Sequence, residues 1–104
     1  MSKAVRLPGV AVTLVILRYE GGPRIEALMP DHVAWLDAGY AGGGFLASGR
    51  MSPWTGGVLL CRGDEAAARV MMADAPLVTQ GGAAVEYVTF QAGLAAPELA
   101  ALLS

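Results

Sequence analysis

The stretch Ala11-Val12-Thr13-Leu14-Val15-Ile16-Leu17-Arg18 decides how the rest of the chain is read. Apolar and β-branched side chains run through it almost without a break, which suits a strand buried on both faces better than one with a face in water. Gly21, Gly22 and Pro23 close it as a turn cluster. Lys3 and Arg6 ahead of the run imitate the start of a secretory signal, but the run ends at Arg18, Tyr19 and Glu20 with no small-x-small cleavage site. It also falls far short of the roughly 20 residues a membrane span needs. The stretch therefore reads as a first strand, and a membrane is not an expected partner.

Arg24 to Met29 has room for a short helical turn, after which Pro30 fits the first position of a main helix, where its missing N–H costs nothing. Val33, Leu36 and Tyr40 fall at i, i+3 and i+7 and form one apolar stripe; Gly42, Gly43 and Gly44 stop the helix. Phe45 to Met51 reads as a second strand, broken by Pro53 and by Thr55, Gly56 and Gly57, and Val58 to Arg62 as a third. Asp64 is a good N-cap for a helix through the strong helix formers Ala66 to Met72, which Asp74, Ala75 and Pro76 end. Ala84 to Phe90 alternates as a fourth strand, with Val85, Tyr87 and Thr89 on one face and Glu86, Val88 and Phe90 on the other. Ala95 to Leu103, opened by Pro97 and Glu98, makes one more short helix. The order β-α-β-β-α-β plus a C-terminal helix is the split βαβ arrangement of ferredoxin-like α+β folds, with helices on one face of an antiparallel sheet and the other face bare.

The bulk composition adds an assembly argument. At 104 residues the chain is a single domain, with a core of about 11–92 and a tail over 93–104. Hydrophobic residues make up 55% and charged residues 15%, whereas a typical domain is about a quarter charged. So short a chain cannot hide that much apolar surface inside itself, and two copies packing sheet against sheet would cover it. The net charge of -2 and the lack of any Lys/Arg cluster argue against nucleic acid. Cys61, the single cysteine, lies in an apolar run, cannot form an internal disulfide and fits a reducing cytoplasm as a small hydrophobe.

His32, the one histidine, is the side chain whose unperturbed pKa falls near neutrality. With Pro30 as first helical residue, it stands near the positive end of the helix dipole, where the imidazolium is disfavoured and a neutral ring can accept a proton. Positions 32, 36 and 39 share a face, so His32 borders the buried stripe; the alternative is a solvated helix-start residue without a role. Asp74, placed in the last turn of a helix, sits against the negative end of the dipole; it is either an Asx-type stop or a carboxylate partner for His32. Ser48 offers a hydrogen-bond donor and Arg50 a cation for an anionic group, unless Arg50 is simply solvated beside its turn. Trp35, Trp54 and Tyr87 fit an aromatic pocket or, more commonly, core and dimer contacts. Gly42 to Gly44 follows a helix instead of opening one and lacks a P-loop Lys, so it is not a phosphate cradle. One His and one Cys do not build a typical zinc site, and no metal or organic cofactor is expected.

Together these pieces resemble the YCII-related (YciI-like) family of small dimeric α+β barrel proteins. The likeness runs over roughly residues 11–92: an apolar first strand, the helix Pro30-Asp31-His32-Val33-Ala34-Trp35-Leu36, then Ala47-Ser48-Gly49, the strand from Gly56 to Leu60, Ala73-Asp74-Ala75-Pro76-Leu77, and Glu86-Tyr87-Val88. The resemblance implies a ferredoxin-like subunit, a homodimer and a pocket centred on a His and an Asp, here His32 and Asp74. Enzymes of related build include muconolactone isomerase and a dehydrochlorinase of a chlorinated aromatic ring, both proton-transfer chemistries. Three positions depart from the family pattern: Met29 stands where an Arg is common, Arg50 where a Pro is common, and Ala75 separates Asp74 from Pro76.

The expectation is therefore a cofactor-independent isomerase or lyase for a small aromatic or lactone-like metabolite. In it His32 moves a proton, Asp74 orients it, and Ser48 or Arg50 steadies the developing charge. A non-catalytic dimeric module that keeps the pocket for small-molecule binding is the alternative.

Overall fold

A computed structural model describes residues 3–104. Its strands β1 (Val5–Tyr19), β2 (Phe45–Arg50), β3 (Gly56–Arg62) and β4 (Ala83–Ala95) alternate with α1 (Arg24–Ala41), α2 (Glu65–Met72), the one-turn α3 (Pro76–Thr79) and α4 (Pro97–Leu103). The four strands form one antiparallel sheet in the order β2-β3-β1-β4, so the ferredoxin-like α+β architecture expected from the sequence is the one observed.

The unbroken apolar run of β1 follows from its central place. It pairs with β3 from Val12↔Arg62 to Arg18↔Gly56 and with β4 as far as Tyr19↔Ala83. Thr13, Val15 and Leu17 are buried beneath the helices with Leu59, Cys61, Met72 and Leu77. Thr13 is polar but satisfied: its hydroxyl donates to the Gly63 carbonyl at 2.9 Å and lies 2.8 Å from the Thr89 hydroxyl. On the opposite face α4 lays Leu103 and Leu99 against Val12 and Ala92, covering one end of the sheet. The rest of that face stays open, with Val88 44% and Phe90 49% exposed.

Three sequence expectations are corrected. First, α1 does not start at Pro30; it is one 18-residue helix with Pro30 inside. Glu26 and Pro30 both lie on the exposed side, so the carbonyl that loses its i+4 donor is not a buried one, and burial of Ile25 on the inner side holds the first turns in place. The buried side of α1 runs through Ile25, Met29, His32 and Leu36, while Val33 is 51% and Tyr40 40% exposed. His32 and Gly39 occupy inward positions that a count of apolar residues passes over, which rotates the stripe away from Val33 and Tyr40. Second, the helix break expected over Asp74 to Pro76 is present, with α2 stopping at Met72 and Ala75 extended ahead of the proline, but Asp74 falls beyond the C-cap Ala73 and not in the last turn, and Pro76 also opens α3. Third, β1 and β4 extend well beyond the apolar runs and pair as far as Val5↔Ala95, past an irregularity between Arg6 and Val10 where Gly9 takes a φ of +91°.

Candidate active site

Where β1 ends and β3 begins, α1 lies across the sheet and leaves a cleft of about 150 Å³. Met29, His32 and Leu36 form its α1 wall, Ser48 and Arg50 come from β2, and Tyr19 from the end of β1. The register explains the gathering: Ser48 is opposite Leu59 and Arg50 opposite Gly57, which are opposite Val15 and Leu17 in turn, so all share the helix-covered face. Three of the four residues singled out from sequence, His32, Ser48 and Arg50, thus line one cavity.

His32 is 9% exposed. It sits in the middle of α1 and not in its first turn, so the helix dipole, which acts within the terminal turn, does not explain a neutral ring. Burial does: desolvation of the charged form pulls the pKa below its ordinary 6.5. Its Nδ1 is buried without a hydrogen-bond partner, the one such side-chain atom among the described residues. The ring stacks on Trp35 with centroids 5.6 Å apart and planes 24° from parallel.

Asp74 does not reach His32. Its carboxylate accepts the Trp35 indole N–H at 3.0 Å, in a neighbouring hollow that Trp35 shares with Val70 and Met71. The expected direct pair is replaced by a stack in which Asp74 fixes the indole and the indole faces the imidazole. Ser48 is 2.7 Å from the Tyr40 hydroxyl. The Arg50 guanidinium lies 4.0 Å above the Trp54 ring and, among the described residues, has no carboxylate within ion-pair distance. Cys61 is fully buried with its thiol pushed up to about 11, which rules it out as a nucleophile at neutral pH.

Tyr19 was not among the sequence candidates. Its hydroxyl accepts the Trp54 indole N–H at 2.9 Å, the rings meeting edge to face at 5.7 Å and 83°. The signal was the period of two: Tyr19 follows Val15 and Leu17 on the inner face of β1 and emerges where the covering helix leaves the sheet.

Among the described residues no helix is long and apolar enough to cross a membrane. No curated protein matches the chain. The sequence profile of the YCII-related domain matches residues 12–91, from the centre of β1 to β4 and across every element that lines the cleft, so the chain belongs to the YCII-related family.

Proposed function

We propose that the protein is a cofactor-independent proton-transfer enzyme, an isomerase or lyase, whose substrate is a small aromatic or lactone-like molecule held between α1 and β2. The observation that carries this reading is a buried His32, whose charged form burial disfavours, in the same cavity as the Arg50 cation, unpaired among the described residues, and the hydroxyl of Ser48. A base must be neutral to accept a proton, and the charge that its action creates on the substrate needs a positive partner. A cavity near 150 Å³ suits a single ring, since an engineered cavity of about 150 Å³ takes up benzene.

In this reading His32 removes a proton from carbon and becomes an imidazolium over the Trp35 face, within the roughly 6 Å at which a ring quadrupole attracts a cation. Asp74 is then a positioning residue: by accepting the indole N–H it fixes the plane on which the imidazole rests. The buried Nδ1 goes unassisted, so no hydrogen bond there offsets the desolvation that lowers the pKa of the ring. The same reading makes the protein a homodimer through the open sheet face, supported by the exposure of Val88 and Phe90 there.

The test is proton exchange in deuterated water, followed by NMR over a panel of small lactones and cyclic ketones with acidic α C–H groups. The wild type should accelerate exchange for at least one member, and His32→Ala should lose about 100-fold or more of that rate. Binding of a panel member without any exchange, or exchange unaffected by His32→Ala, would contradict the assignment and leave a small-molecule-binding module.

A further inference from the structure

We propose that Tyr19 is a second catalytic residue of this cleft, donating its phenolic hydrogen to the substrate oxygen that becomes negative when His32 takes a proton from a nearby carbon. The inference rests on the proton-transfer reading above and supplies the electrophilic partner for that base.

The geometry comes from Trp54. A phenol carries one hydrogen to give and lone pairs to accept with, whereas an indole nitrogen can only donate. The 2.9 Å contact between them therefore has one direction: Trp54 gives, and the Tyr19 hydrogen stays uncommitted. The Tyr19 oxygen has no other hydrogen-bond partner among the described residues. Accepting a hydrogen bond polarises an O–H and makes it a stronger donor. Tyr19 and His32 both line the cleft, His32 from the helix and Tyr19 from the sheet. At Gly57 the cleft floor has no side chain, and a Cβ there would stand 3.9 Å from the Tyr19 hydroxyl.

Trp54 also carries Arg50 on its face at 4.0 Å, so one indole orients both the neutral donor and the cation. A hydrogen-bond donor and a positive charge lining the same cleft as a base are what an enolate requires. The electron count closes without any cofactor. His32 takes the α-proton; the C–H electron pair becomes a C=C bond; the carbonyl π pair moves onto oxygen, where Tyr19 hydrogen-bonds it. The imidazolium then returns the proton to the same carbon or to one conjugated with it. The substrate class this selects is a ring carbonyl compound with an acidic α C–H.

The experiment uses 4-nitrophenolate as an enolate mimic, read by its absorbance, and uncharged 4-nitroanisole as the control of similar shape. The wild type should bind the phenolate at least ten-fold more tightly than the anisole. Tyr19→Phe, which keeps the ring, should weaken phenolate binding by about ten-fold or more, the scale of one hydrogen bond to a charged group, and leave anisole binding unchanged. Trp54→Phe, which keeps an aromatic face for Arg50 but loses the N–H, should weaken it by a smaller factor. Phenolate affinity unchanged in Tyr19→Phe, or no preference for the phenolate in the wild type, overturns the proposal. The base is tested separately: exchange that survives His32→Ala while Tyr19→Phe loses the phenolate removes His32 and retains the Tyr19 oxyanion site.

Discussion

Burial at His32 sets both its chemistry and its effect on stability. Desolvation holds the folded-state pKa below 6.5, so above that pH the ring is neutral in the folded and unfolded chain alike and contributes no pH dependence. As the pH falls through 6.5 towards the lowered folded value, the unfolded chain binds a proton that the folded one refuses, and stability is lost. Urea unfolding at about pH 7.5 and about pH 5 should therefore show a steeper loss of stability in the wild type than in His32→Gln, which has no titrating ring. Equal losses would mean that His32 titrates as it does in water. At this scale His32 was legible as the single histidine, and Ser48 and Arg50 as polar side chains at the end of a strand beside a turn. Tyr19 was not, because the strand it ends was read for its apolar run and not for where its last side chain emerges. The Trp35–Asp74 bond was not legible either: it joins residues 39 positions apart, and nothing local to Asp74 announces an indole donor.

Among the elements, α1 does most to make the cleft. A helix beginning at Pro30 would place His32 near a loop; the observed helix instead carries it across the sheet as part of a continuous inner stripe. Local rules favoured a break at Pro30, and burial of Ile25 outweighed them. Turn glycines, the Asp64 cap and the apolar runs were readable because their physics is local: the Asp64 carboxylate accepts the Ala67 N–H at 3.0 Å as a cap should. Helix α3 was not, since a proline marks a start as well as a stop and the choice depends on Leu77 finding the core. Gly39 shows how closely α1 meets the sheet. Helix propensity alone says that Gly39→Ala gains about 1 kcal/mol. A Cβ there, however, would stand 2.0 Å from the Phe45 ring, which Trp35 and Tyr40 pin at 5.1 and 5.6 Å. Overpacking should win, and chemical denaturation should find Gly39→Ala less stable by about 1–3 kcal/mol; a gain in stability would show that α1 rides on the sheet with slack.

For the molecule as a whole, the surplus of apolar residues seen in the composition has a location. Part of it is the sheet face opposite α1 and α2, where Val88 and Phe90 stand open beyond the reach of α4. Phe90→Glu should convert a dimer at micromolar concentration into a monomer by light scattering, and a wild-type monomer under the same conditions would remove the dimer. The cleft lies on the helix-covered face, so a monomeric variant should keep its His32, Arg50 and Tyr19 walls. Fold order and bare face were readable because they depend on periodicity and composition, whereas the cleft depends on where a helix crosses. The most direct test of His32 as the base is the pH profile of proton exchange on a ring carbonyl substrate, set beside NMR titration of this single histidine. Exchange should rise with pH, level off with an apparent pKa below 6.5, and match the His32 titration. A profile that ignores the His32 titration, or that is unchanged in His32→Ala, would contradict the account.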